Sequence, residues 1–171
     1  DSRIKSVQIS EGITDLGAAY SYTFWGCKNL KSVTLPQSLT SIGNNSFYEC
    51  ESLESIVLPE NLTNLGNWAF AGCRSIKKLV IPDKLTSTNI GNGAFRSCSD
   101  LRSVTLPENF TFIPENMFSG CSRLTDITLP ESVTEIKDGA FSNCHDLKEI
   151  ELPKGLTTIG ASAFSYSGLL S

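Results

Sequence analysis

One histidine, His145, and one methionine, Met117, are all that the 171 residues hold of either type. A metal centre built on several histidines has no ligands here. The chain also lacks a glycine-rich phosphate loop, a nucleophile elbow and an H-E-x-x-H motif. Catalysis needs a nucleophile, a base and an orienting group within reach. His145 follows Cys144 at a place held elsewhere by Lys28, Glu51, Arg74, Ser99 and Ser122, so it reads as a variable, solvent-facing position. A non-enzymatic protein with no cofactor and no metal is expected. Basic residues are not in excess either: 14 Lys and Arg stand against 18 Asp and Glu, a net charge of −4. Nucleic acid and anionic membrane surfaces, which need clustered positive charge, are therefore not expected partners. No apolar run approaches the ~18 residues of a membrane span, so direct membrane insertion is not expected. The opening D-S-R-I-K has no signal-peptide hydrophobic stretch.

What the chain has instead is a period. Phe recurs at 24, 47, 70, 95, 118, 141 and 164, and the first six are each followed three residues later by Cys, at 27, 50, 73, 98, 121 and 144. A fixed period of this size means that each unit is one supersecondary coil that cannot bury its own apolar face, so neighbouring coils must stack. Every step is 23 residues except that from Phe70 to Phe95, where two extra residues lie within Thr86–Asn89 and are expected to bulge outward. The segment L-x-x-V-x-L-P, as in Leu30, Val33, Leu35 and Pro36, ends in the alternation of a strand with one buried face. Proline has no N–H for a ladder and ends the pairing. A second, shorter extended piece, L-T-x-I-G, follows as in Leu39–Gly43, and x-x-A-F-x-x-C closes the coil. Pro114 and Lys137 hold the place of Gly43, Gly66, Gly91 and Gly160. Proline cannot take positive φ, so those glycines are read as allowing close approach between coils. Ala69, Ala94, Ala140 and Ala163, before the phenylalanines, are read the same way, with Met117 an exception that needs local repacking. Phe110 and Phe112 fall at or near an aliphatic position of their unit.

The fold class expected is an α/β-type repeat solenoid, mostly strand and turn with little helix, of about seven coils of 23 residues. It is a single domain over 1–171. Its last stretch, F-S-Y-S-G-L-L-S, stops at a leucine that would open another strand, and no polar capping repeat is visible at either end. A fragment of a longer solenoid is the expectation. The cysteines keep the period of the fold, and Ser167 fills the same slot. Buried free thiols are expected over bridges between neighbouring coils, because parallel inward side chains about 4.8 Å apart exceed the usual Cβ spacing of a disulfide.

Written out, the skeleton C-x-x-L-x-x-V-x-L-P-x-x-L-x-x-I-G-x-x-A-F resembles the BspA-like class of leucine-rich repeats over residues 4–171. Departures are Ser10 for Pro, Ser167 for Cys, Pro114 for Gly and three inserted residues around Ala19–Tyr22. The resemblance implies a right-handed curved solenoid with a parallel sheet of L-x-x-V-x-L strands on its concave face. It further implies a cell-surface or secreted protein, bacterial or from some protists, acting in adhesion through host matrix proteins or other cells.

Two surfaces are candidates for a protein or glycan ligand. The concave face is small and rich in Ser, Thr and Val, with charge at Lys78 and Arg102 and an acidic end at Asp126, Glu149 and Glu151. This is either a polarised groove or simply a soluble sheet. The second is aromatic. Tyr22 and Trp68 stand two residues before a ladder Phe, Trp25 and Tyr48 one after, with the inserted Tyr20 nearby. Stacked coils bring these into one patch, suited to protein or to sugar rings, or else to packing against a flanking segment. Glu11, Glu60, Asp83, Glu108 and Glu131 form a column after the strand-ending residue, read as a solvated edge and not as a calcium site. Three N-x-S/T sequons begin at Asn44, Asn61 and Asn109. A binding module is the favoured function; the alternatives are a spacer projecting another domain or an accessory region of a larger surface enzyme.

Overall fold

Each repeat carries two short extended pieces separated by a turn, and both form β structure. The computed structural model describes residues 3–17 and 21–169. Its strands, in chain order, are β1 (Ser6–Gln8), β2 (Asp15–Leu16), β3 (Ser32–Thr34), β4 (Ser41–Ile42), β5 (Asn64–Leu65), β6 (Lys78–Val80), β7 (Ser103–Thr105), β8 (Phe112–Ile113), β9 (Asp126–Ile127), β10 (Glu135–Ile136) and β11 (Thr158–Ile159). All pair in parallel, along two sides of the coil. On the first side β1 meets β3 with Val7 opposite Val33, Ser32 bridges to Ser55, and β6, β7 and β9 align Leu79, Val104 and Ile127. On the second, β2, β4 and β5 align Leu16, Ile42 and Leu65, Leu65 bridges to Ile90, and β8, β10 and β11 align Ile113, Ile136 and Ile159. The first-side strand is not uniform from coil to coil. The coil of Ile56 contributes only its Ser55 bridge, and residues 149–151 form no strand.

Seven ladder phenylalanines enclose about six full turns of the solenoid, so the count of about seven coils includes incomplete ends. Phe47, Phe70, Phe95, Phe118 and Phe141 are fully buried, and successive rings stack nearly parallel. Ring centroids are 4.9 Å apart between Phe47 and Phe70 but 6.3 Å between Phe95 and Phe118. The widest step therefore falls beside Met117, itself fully buried where four other coils carry alanine, which is the repacking that its size requires. Phe110 fills a leucine position with no exposure. Phe112 is half-buried beneath the Lys137 ammonium, 4.0 Å from its ring centre. Each large buried side chain of this kind contributes roughly 1.5–3 kcal/mol.

Cys27, Cys50, Cys73, Cys98, Cys121 and Cys144 are buried free thiols. From Cys50 onward each donates its S–H to the carbonyl of the Phe that belongs to the previous coil's closing turn, as in Cys73 to Phe47 at 3.1 Å. Burial pushes the thiols of Cys50, Cys98 and Cys144 up to about 12, and raises those of Cys73 and Cys121 well above their ordinary value. They are protonated and shielded, with the character of small core residues rather than nucleophiles.

Close approach explains the glycines after Ile42 and Leu65. A Cβ on Gly66 would strike the backbone and the side-chain oxygen of Asn44, while that oxygen accepts the N–H of Asn67 at 2.7 Å. Asn67 repeats the contact one coil on, accepting from Asn92 N at 2.8 Å, and Asp138 does so from Ala161 N at 2.7 Å. Side-chain oxygens thus stitch neighbouring coils where the ladder has ended.

The insertion does not simply bulge outward. Thr88 and Asn89 are exposed, but Ser87–Asn89 wind into a 3₁₀ turn that leaves Ser87 buried. The turn draws the Thr86 carbonyl onto Asn89 N, at 3.0 Å. In other coils the equivalent carbonyl serves the next coil: that of Thr40 accepts from both Thr63 and Asn64. Here Ser87 Oγ takes over, accepting from Thr111 N at 3.0 Å and Phe112 N at 3.2 Å.

Candidate functional site

The closing turn of each coil reverses the chain in very few residues, and it does so with two left-handed positions. One lies two residues before the ladder Phe (Asn45, Trp68, Gly93, Asn116, Gly139, Ser162) and the other two after it (Gly26, Glu49, Gly72, Ser97, Gly120, Asn143, Tyr166). Asn and Gly suit that region; a bulky residue does not. Trp68, like Glu49 and Tyr166, nevertheless occupies it, with φ of 51°, a conformation that costs about 1–2 kcal/mol in a residue with a Cβ.

That conformation places the Trp68 indole over the next coil. A Cβ on Gly93 would lie 2.6 Å from Cδ1 and 2.7 Å from Nε1 of Trp68, and 3.7 Å from the Cβ of Arg96. The ring and the arginine stem therefore flank the same bare glycine. On the preceding coils Tyr22 and Trp25 lie 5.2 Å apart between ring centres, and Trp25 meets Tyr48 edge-on at 6.3 Å. Tyr22, Trp25 and Trp68 are 58%, 55% and 42% exposed, where a core-packed aromatic would be near zero.

Together these four aromatics line a groove of about 590 Å³, within the ~300–1,000 Å³ of small-ligand sites. Ala71 and Gly72 lie between the Tyr48 coil and the Arg96 coil, and Asn45, Glu49, Arg74 and Arg96 supply polar groups. The sequence reading of the patch as Tyr22, Trp25, Tyr48 and Trp68 is brought together in space; Tyr20 lies outside the described residues. Arg74 and Arg96 were not foreseen. Arg96 continues the column Trp25, Tyr48, Ala71, so its place one residue after a ladder Phe was the available signal. Neither arginine forms an ion pair among the described residues, whereas Lys28 and Glu51, earlier in the Arg74 column, pair at 3.0 Å.

The first-side face does not gather its five candidates into one site. Lys78 lies with exposed Val57 and Val80 in an apolar depression. Asp126 and Glu151 share a separate depression of about 680 Å³ with Glu108, Glu131 and Lys154, and Glu149 joins Asp126 and Glu151 in a smaller one. Arg102 is exposed and lines none of these. The backbone of this face is bonded coil to coil, leaving only side chains to recognise a ligand.

The post-strand carboxylates are exposed. Glu11 accepts the N–H groups of Gln37 and Ser38 at 2.9 and 3.1 Å, which lowers its carboxyl below the ordinary range. Among the described residues no three His, Cys, Asp or Glu side chains converge as metal ligands. His145 is exposed. No helix among the described residues is long and apolar enough to cross a membrane. The sequon asparagines are in use within the fold: Asn61 and Asn109 donate Nδ2–H to the carbonyls of Gln37 and Asp83.

Comparison with known proteins bears on these surfaces. The sequence profile of the BspA type leucine rich repeat region matches residues 1–89 and 86–171, with six copies. No curated protein matches. Among solved structures, a leucine-rich repeat protein from Bacteroides ovatus is 33% identical with a TM-score of 0.92, over 98% of this chain and 42% of its own. The leucine-rich repeat protein of T. pallidum is 33% identical with a TM-score of 0.79, over 85% of this chain and 66% of its own. A leucine rich cell surface protein from Faecalibacterium prausnitzii is 27% identical with a TM-score of 0.65, over 95% of this chain and 57% of its own. The chain thus spans less than two thirds of each of these proteins.

Proposed function

The chain belongs to the BspA-type leucine-rich repeat family, and from that premise we propose that it is a non-enzymatic ligand-binding module of a cell-surface or secreted protein. The family makes it a repeat-based binding or scaffold module; the aromatic groove favours binding. The observation that carries this reading is Trp68, exposed, with its ring across Gly93 and lining one groove with Tyr22, Trp25 and Tyr48. Exposed Trp and Tyr supply large contact area with little conformational freedom to lose.

The ligand is an extracellular protein or glycan, and the role is adhesion to matrix or to another cell. The F. prausnitzii relative, described as a cell surface protein, supports the location. The test is retention of the purified protein on an array of matrix proteins and glycans at physiological salt, beside the Trp25→Ala/Trp68→Ala and Glu149→Lys/Glu151→Lys variants. Saturable retention lost only in the tryptophan variant is the expected result. Loss only in the glutamate variant moves the site to the first-side face, and no retention by the folded protein leaves a scaffold.

A further inference from the structure

We propose that the groove takes an acidic saccharide, its sugar rings on the tryptophan and tyrosine faces and its carboxylate on Arg74 and Arg96. This rests on the groove being the ligand site and names the class of ligand.

Three features converge on that chemistry. The first is charge. The protein carries −4 overall, yet the groove holds two guanidinium groups against a single carboxylate, Glu49. Neither arginine has an acidic partner among the described residues. An unpaired guanidinium beside an aromatic surface is suited to a planar carboxylate, which it binds through two parallel N–H donors.

The second is the kind of surface. Aromatic rings from three consecutive coils line the groove, with Asn45 and Ser97 among its polar lining residues. A pyranose ring presents C–H groups on its face and hydroxyls around its rim, so it meets apolar ring faces and peripheral donors at once.

The third disfavours an extended peptide. Strand addition needs a free edge of N–H and C=O groups. Backbone N–H groups of these turns are already bonded to the next coil: Gly26 to Tyr48 O, Glu49 to Ala71 O, Gly72 to Arg96 O, and Ser97 to Ser119 O. Recognition falls to side chains, and the groove is small-ligand sized rather than long.

The experiment pairs each acidic oligosaccharide on an array with the same oligosaccharide after reduction of its carboxyl to an alcohol. Sialylated, glucuronate and galacturonate series are all included, together with oligoglutamate peptides. Binding of the folded protein is compared with Arg74→Gln/Arg96→Gln, Glu49→Gln and Trp25→Ala/Trp68→Ala. At least one acidic series should bind about tenfold more tightly than its reduced partner, given one bidentate charge-assisted contact. The arginine variant should erase that difference while keeping residual binding of the reduced sugar, Glu49→Gln should enlarge it, and the tryptophan variant should lose both. Raising salt should weaken the acidic series selectively. Equal retention of acidic and reduced sugars overturns the acidic class but leaves the groove as a saccharide site. Retention of oligoglutamate as strong as any sugar overturns it in favour of a peptide. No retention of any of these probes overturns it together with a saccharide reading of the groove.

Discussion

The hydroxyl of Ser87 accepts the backbone N–H of Thr111 at 3.0 Å, in place of a carbonyl that the two-residue insertion has turned away. One side-chain oxygen thereby keeps two coils in register across the irregular step. Ser87→Ala leaves the N–H groups of Thr111 and Phe112 without that acceptor. Thermal or denaturant unfolding should show a loss of about 1–3 kcal/mol, the cost of an unsatisfied donor with limited access to water. Thr88→Ala, on the exposed side of the same turn, should lie within about 0.5 kcal/mol of the parent.

Gly93 is tied to the groove by the Trp68 ring. Gly93→Ala places a methyl against Cδ1 and Nε1 of the indole and must push the ring aside. Its φ of 62° adds about 1–2 kcal/mol of backbone cost. Gly120→Ala has the same kind of backbone cost at φ 77° but meets only Ser97, so it serves as the control. Both should lower stability by similar amounts, while only Gly93→Ala should change tryptophan fluorescence and weaken ligand retention.

The five thiols with raised pKa make the fold sensitive to alkali. Protonated in the folded state to about pH 12 at Cys50, Cys98 and Cys144, but ionising near 9.0 once unfolded, they bind more protons folded than unfolded between those values. Stability from this source is fully present below pH 9 and is lost as pH rises toward 12, at about 1.4 kcal/mol per pH unit for each thiol. Unfolding followed by circular dichroism should steepen above pH 9. At pH 7.5 the buried thiols of the native protein should react with a thiol reagent only on the timescale of unfolding.

Phe70 is stacked between Phe47 at 4.9 Å and Phe95 at 5.6 Å, without exposure. Phe70→Ala should cost about 3–5 kcal/mol. Phe164, stacked on one side by Phe141 and half-buried, should cost distinctly less. Hydrogen exchange should show the first opening several central coils and the second mainly the last, because a solenoid's stability is a sum of nearest-neighbour terms.

Much of this protein was legible in its residues. The 23-residue spacing of Phe and Cys determined a stacked solenoid, since a side chain that repeats with the coil must form a ladder. The period-two ends of L-x-x-V-x-L and L-T-x-I determined which residues face inward, as the buried Val104 and Ile113 show. Pro114 at a glycine position was enough to separate close approach from a left-handed backbone. The column arithmetic even placed Tyr22, Trp25, Tyr48 and Trp68 on one patch.

What tertiary structure alone decided depends on direction and not on spacing. Periodicity says that two residues are one coil apart; it does not say whether a hydroxyl turns inward, as Ser87 does, or whether an arginine has an acid to pair with. The groove forms where the Trp68 ring lies over Gly93 of the next coil and Ala71, Gly72 and Arg96 join the same lining, a relation among side chains that only stacking creates. In the same way the first-side candidates separate: Lys78 lies two coils from Asp126 in a depression of its own, while Asp126, Glu149 and Glu151 share another. Order along the chain fixes the ladder, and the packing of one coil on the next decides what its surface can hold.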